Sequence, residues 1–152
     1  MSATYQLQQQ GAYSEAEVAY REALAICQRK QGHDRRLADL LTNLGAPYAN
    51  TKRYEEAPEY LRRSLAVYRR VLGDGHPDTI RPLVSLSTLY GKSGRLADAE
   101  HCLHPALAAA RTSLGPEHPI TGAILSNYAV VLRRLNRKAE AREAEKQMRA
   151  IR

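Results

Sequence analysis

The chain has 152 residues, 43% of them hydrophobic, with nine Tyr, no Trp or Phe, and a formal net charge of +7. This is one domain's worth of sequence with enough apolar content to bury a core, and its Leu- and Ala-rich, strand-poor composition points to an all-α fold rather than to disorder. No run of about 18 uncharged apolar residues occurs and residues 1–10 lack a basic patch followed by an apolar stretch, so neither a membrane span nor a secretion signal is indicated, and a cytoplasmic location is expected.

The first elements repeat. Residues 3–10 read as the tail of a helix whose start is missing, so the chain is expected to begin inside a repeat. A helix is predicted over 13–30, opening on Gly11-Ala12-Tyr13-Ser14-Glu15-Ala16, with Glu15 and Glu17 suited to the positive helix start. A second, from about residue 35, carries Leu37, Leu40, Leu41, Leu44 and Tyr48 at helical spacing, and its partner carries Tyr54, Ala57, Leu61, Leu65 and Tyr68. That partner opens on Lys52-Arg53-Tyr54-Glu55-Glu56-Ala57, a copy of the 11–16 segment. Further copies are Gly94-Arg95-Leu96-Ala97-Asp98-Ala99 and Asn136-Arg137-Lys138-Ala139-Glu140-Ala141. Tyr13, Tyr54, Leu96 and Lys138 are spaced by 41, 42 and 42 residues.

Two more motifs keep the same step. Leu41-Thr42-Asn43-Leu44-Gly45 returns as Leu83-Val84-Ser85-Leu86-Ser87 and as Leu125-Ser126-Asn127-Tyr128-Ala129. Leu72-Gly73-Asp74-Gly75-His76-Pro77-Asp78-Thr79 returns as Leu114-Gly115-Pro116-Glu117-His118-Pro119-Ile120-Thr121. Gly73 and Gly115 read as helix stops, and Pro77 with Asp78 reads as a helix start. The recurring Ala16, Ala57, Ala99 and Ala141 suit close helix approach. Pro58 and Pro82 fall early in their helices, whereas Pro47 and Pro105 fall in helix interiors, where a proline costs up to about 3 kcal/mol and is expected to bend the helix.

The end of the chain holds most of the charge excess. From Arg133 to Arg152 there are eight Lys/Arg against three Asp/Glu, net +5, which leaves +2 for the rest. A basic last helix, rather than a basic domain, keeps RNA binding only as a weaker alternative. Glu145 and Arg149 stand where earlier units put Leu61 and Leu65, a polar face of the kind that caps a solenoid, so a natural end near Arg152 is expected.

The Asn-Leu-Gly…Tyr48 stretch, followed by Lys-Arg-Tyr54-Glu-Glu-Ala57, Leu61, Ser64 and Leu65, resembles the tetratricopeptide repeat signature. The Leu-Gly-x-x-His-Pro loop and the long unit are similar to the kinesin-light-chain and nephrocystin subgroup. The resemblance implies an α-solenoid, a right-handed superhelix of helix hairpins. The expected units are a partial repeat at 1–34, repeats at 35–71 and 77–113, and a repeat with C-terminal cap at 118–150. It further implies a non-enzymatic scaffold that binds an extended peptide in a concave groove lined by the first helix of each pair.

Steps of four, three and four residues place Asp39, Asn43, Ala46 and Asn50 on that groove stripe in the first pair. Arg81, Ser85, Thr88 and Lys92 follow in the second, then Ala123, Asn127, Val130 and Arg134 in the third, with Thr42, Val84 and Ser126 alongside. Asn43, Ser85 and Asn127 share one position, where an amide or hydroxyl can bond a peptide backbone or bridge neighbouring helices. Arg81, Lys92 and Arg134 favour an acidic partner. A different class of function is the sensor or self-association arm of a larger signalling ATPase, and self-association through the N-terminal end is expected from a broken first repeat.

Sites for chemistry are sparse. In His101-Cys102-Leu103-His104 two histidines could share a helix face, but no fourth zinc ligand is evident and Cys102 points elsewhere. No nucleophile, base and orienting group come together, and glycine-rich phosphate loops are absent. No enzyme activity, metal or cofactor is expected. Cys27 and Cys102, in different repeats, read as reduced thiols. The Arg62-Arg63 and Arg69-Arg70 pairs lack interleaved aromatic residues for base stacking and read as solvated surface.

Overall fold

The computed structural model describes Val18, Arg21, Glu22, Ala25, residues 35–45 and residues 57–151. Six α-helices lie in the two described stretches: α1 (Arg35–Gly45), α2 (Ala57–Leu72), α3 (Ile80–Lys92), α4 (Leu96–Ser113), α5 (Pro119–Arg134) and α6 (Lys138–Arg149), with a 3-10 turn over Pro77–Thr79 ahead of α3. No strand occurs among the described residues. The helix expected over 13–30 falls largely outside them, as do Leu7, Cys27, Ala46, Pro47, Tyr48, Asn50, Glu55 and Glu56.

The helices pair in sequence order, α1 with α2, α3 with α4 and α5 with α6, and each pair packs on the next through α2 against α3 and α4 against α5. The loops dictate this pairing. Between α3 and α4 the chain turns over residues 93–95, with Gly94 at φ +80° and the Arg95 N–H donating to the Tyr90 carbonyl at 2.8 Å. One repeat later Asn136 adopts φ +63° and the Arg137 N–H donates to the Leu132 carbonyl at 2.8 Å. Both are the left-handed cap that returns orphan carbonyls to hydrogen bonding, and asparagine is the side chain that enters this region at least cost after glycine.

The longer loops also follow one pattern. Gly73 and Gly115 take φ +89° and +99° and stop α2 and α4, as expected from the sequence. The histidines then cap the next helices: His76 Nδ1 accepts from the Asp78 N–H and His118 Nδ1 from the Ile120 N–H, each at 3.1 Å. An imidazole can do this only with its proton on Nε2. The buried threonines follow suit, Thr79 Oγ1 donating to the His76 carbonyl at 2.6 Å and Thr121 Oγ1 to the Gly115 carbonyl at 2.8 Å.

Charge complements the helix ends: Glu59, Asp98 and Glu140 stand in the first turns of α2, α4 and α6, and Arg69, Arg111 and Arg149 in their last. The main core joins α2, α3, α4 and α5 through Leu61, Leu65, Leu83, Leu86, Leu103 and Ile124. Ala99 and Ala141 are fully buried, and their small side chains let the paired helices approach. Pro105 stands inside α4, which continues through it to Ser113, and Pro82 is buried in the first turn of α3.

Candidate functional site

The face that α1, α3 and α5 present is built by side chains that cross from one first helix to the next. Arg81 of α3 donates from Nη1 to Asn43 Oδ1 of α1 at 3.0 Å. Arg134 of α5 donates from Nη1 to the Gly91 carbonyl near the end of α3 at 2.9 Å. The two links stand at opposite ends of α3. Arg81 projects from its first turn, and Gly91 carries one of the carbonyls that the helix end leaves without an internal donor.

The sequence-predicted stripe divides into accessible and inaccessible residues. Asp39, Arg81, Lys92, Asn127, Val130 and Arg134 are exposed, and Asn43, Val84, Ser85, Thr88 and Ser126 are half-buried. Val130 is 56% exposed, an uncovered aliphatic side chain between Asn127 and Arg134 on α5. Thr88 Oγ1 is turned onto its own helix, donating to the Val84 carbonyl at 3.1 Å.

Thr42 does not belong to the face. It is 1% exposed, and its hydroxyl donates to the Ala38 carbonyl at 2.8 Å while pairing with Ser64 Oγ, which donates to the same carbonyl at 2.9 Å. The hydroxyls of α1 and α2 thereby satisfy one another where no water reaches, which removes the desolvation cost of burying them. One residue along a helix is a rotation of about 100°, enough to carry Thr42 from the open face beside Asn43 to the α1–α2 interface.

Asp39 accepts a hydrogen bond from the Tyr68 hydroxyl of α2. Burial first, then this bond and the charge of Asp39, push the Tyr68 hydroxyl up to about 12. The tyrosine therefore stays a donor throughout the neutral range. Sequence periodicity gave Tyr68 only a core role, and nothing in the spacing marks its hydroxyl as the partner of a carboxylate 29 residues away.

The other face carries its own contacts. Arg62 donates from Nε to the Tyr90 hydroxyl at 2.8 Å, and the Tyr90 ring lies 5.7 Å from the Arg62 guanidinium and 4.6 Å from that of Arg95. Arg137 pairs with Glu100 at 2.5 Å and also with Glu140, and Tyr128 donates to Glu100 at 3.4 Å. These contacts use the outer arginines to fasten one pair to the next. His101 and His104 are exposed, Cys102 is buried, and no group of three or more His, Cys, Asp or Glu is placed to hold a metal ion among the described residues. No described helix is long and apolar enough to cross a membrane.

Comparison with known proteins decides the family. The tetratricopeptide repeat pattern matches residues 36–103 and 83–152, and a second tetratricopeptide repeat pattern matches residues 7–34. The chain belongs to the tetratricopeptide repeat family. Its fold is similar to that of BtubC (BKLC) from P. vanneervenii, with TM-score 0.85 and 20% identity over 95% of this chain and 57% of that one. It is also similar to the Podosopora anserina kinesin light chain nearly identical TPR-like repeats, with TM-score 0.57 and 18% identity over 96% of this chain and 90% of that one.

These likenesses make it a tetratricopeptide array of the kinesin light chain type. A 44-residue stretch, 29% of the chain, is 48% identical to a nucleotide-binding leucine-rich repeat (NLR)-like protein of Hyaloscypha variabilis, of which it covers 4%. The chain thus spans a little over half of the BtubC chain and a small part of the NLR-like protein. Tetratricopeptide arrays are protein–protein interaction scaffolds, and scaffold families of this kind are generally non-enzymatic.

Proposed function

We propose that this tetratricopeptide array binds an extended, net-acidic protein segment along the face of α1, α3 and α5. The observation that carries this reading is the cross-helix pairing on that face. Arg81 and Arg134 are exposed and reach neighbouring first helices, yet their partners there are a neutral amide and a neutral carbonyl, so the positive charge is not cancelled. Lys92 adds a third cation on the same stripe. Val130 offers an apolar contact, and Asn127 offers an amide for the bound backbone.

Exposed charges set encounter rate and salt dependence, whereas hydrogen bonds to the peptide backbone hold the segment once docked. The two groups therefore fail differently. Titrating a selected acidic peptide across a salt series, Arg81→Glu with Lys92→Glu weakens binding most at low ionic strength, where the screening length is longest. Asn127→Ala weakens it at every ionic strength. Unchanged affinity in both variants, with loss on Arg62→Ala and Arg69→Ala, would place the partner on the outer face instead.

A second reading rests on the local likeness to the NLR-like protein. There the array is the sensing or self-association arm of a larger nucleotide-switched protein. The groove would bind its segment in the same way, and the difference would lie in the domain to which it reports.

A further inference from the structure

We infer that Asn43 is a positioning residue that acts through Arg81, holding its guanidinium aimed along the groove for a carboxylate of the bound segment, rather than a residue that itself reads the peptide backbone. The inference rests on the groove reading above.

The chemistry of the pair fixes its polarity. A guanidinium has five N–H donors and no acceptor, so the amide face turned to Arg81 must be the oxygen, as the 3.0 Å contact has it. One donor of Arg81 is spent on Asn43 and four remain. An amide oxygen is neutral, so this bond restrains the side chain without neutralising it. Among the described residues Arg81 forms no ion pair.

The nearest candidate to neutralise Arg81 is diverted. Asp39 lies one turn before Asn43 on α1, but its carboxylate accepts from the Tyr68 hydroxyl of α2. That hydroxyl, raised to about 12, does not ionise at neutral pH, so it goes on donating to Asp39. The arrangement therefore leaves an oriented, uncompensated guanidinium at the α1–α3 junction.

The neighbouring repeats lack the device. Ala123 occupies the position of Arg81 in the next pair, opposite Ser85, so the carboxylate-accepting point falls at one junction of the array and sets where along the groove the acidic part of a segment sits. Orientation is what makes the residue effective. Immobilising a long side chain on binding opposes association, and a side chain already held in place avoids most of that loss.

The test is a double-mutant cycle on the full chain with a rhodamine-labelled, end-blocked deca-glutamate peptide, read by fluorescence anisotropy at fixed low salt. Asn43→Ala is expected to weaken binding about two- to tenfold, the range for losing one preorganised side chain. In an Arg81→Ala background the same substitution should change nothing further, because its effect travels through Arg81. Asn43→Asp preserves shape but pairs with Arg81, and it should weaken binding more than Asn43→Ala.

If Asn43→Ala lowers affinity by the same factor with and without Arg81, Asn43 touches the peptide directly and the inference is overturned while the groove reading stands. An Asn43→Asp variant that binds as well as wild type overturns it too. If the peptide does not bind, or Arg81→Ala leaves its affinity unchanged, the acidic-groove reading itself fails.

Discussion

Two glycines three residues apart at the end of α3 should respond to the same substitution with opposite signs. Gly91 lies in the helix, without a positive φ, and a Cβ built on it meets nothing within 4 Å. Alanine there costs the native state nothing and removes backbone freedom from the unfolded chain, a gain of about 0.4–1 kcal/mol. The carbonyl that Arg134 uses at Gly91 is retained.

Gly94 has equal room, with nothing within 4 Å, but sits at φ +80°. An L-side chain in that region costs about 1–2 kcal/mol, which outweighs the unfolded-state gain and leaves Gly94→Ala destabilised by roughly 1 kcal/mol. For a chain of this length each kcal/mol moves the melting temperature by about 2–4 °C. Circular-dichroism melts should therefore rise by about 1–4 °C for Gly91→Ala and fall by a similar amount for Gly94→Ala. Gly94→Asn, which copies the residue that Asn136 places at φ +63° in the next repeat, should fall between Gly94→Ala and wild type. Shifts of the same sign in both alanine variants would mean that packing, and not backbone conformation, controls this helix end.

The histidine caps and the buried thiol give two more tests. His118→Ala removes the Nδ1 acceptor of the Ile120 N–H and should cost about 1 kcal/mol in urea denaturation, and His118→Asn, which brings the side chain favoured at that position, should recover most of it. Burial, with a smaller push from Asp98, raises the Cys102 thiol from 9.0 to about 11. The unfolded chain then releases this proton before the folded one does, so the contribution is present below pH 9 and is lost as pH rises toward 11. Wild type should accordingly lose stability relative to Cys102→Ala over that window, and peptide-resolved alkylation at pH 8 should modify Cys102 slowly until urea is added.

The repeat was legible because its punctuation is chemical. Gly73 and Gly115 had to end helices, and His-Pro had to begin them, whatever the helices packed against. What the spacing could not supply was the partner of each polar side chain. Thr42 and Asn43 are adjacent on one helix, and only the presence of Ser64 on α2 decides that the hydroxyl is buried and the amide is not. The column of Thr42, Val84 and Ser126 shows the consequence. Only the residue met by a second hydroxyl is fully buried, while its two counterparts stay half-exposed. The histidine side chains as caps were equally hidden, since a His-Pro dipeptide marks a helix start without saying which atom receives the first free N–H.

One column of the repeat shows how a single position can either extend the array or refuse the next layer. Leu61 and Leu103 are both fully buried in the main core, alongside Ile80 and Leu83 of α3 and Ile124 and Val131 of α5. A leucine in this column is therefore a link between one pair and the first helix of the next. Glu145 holds the same place on α6, but its carboxylate folds back onto Arg133 of its own pair, accepting two bonds at 2.7 Å from Nε and Nη2. The arginine draws the carboxyl below the usual range for glutamate, so it stays ionised wherever the array is folded at neutral pH.

Stacking a further apolar helix on that face would strip water from a charged pair, and the desolvation penalty would oppose the contact that leucine favours. Below it, Ile151 turns back against Gly122, its Cδ1 3.3 Å from where a Cβ would stand, and packs with Leu125, Ala129 and Ala144. The apolar surface of the last pair is thus consumed from within, which confines its remaining polar groups to solvent and leaves the α1–α3–α5 face as the surface where aliphatic, amide and cationic side chains stand open together.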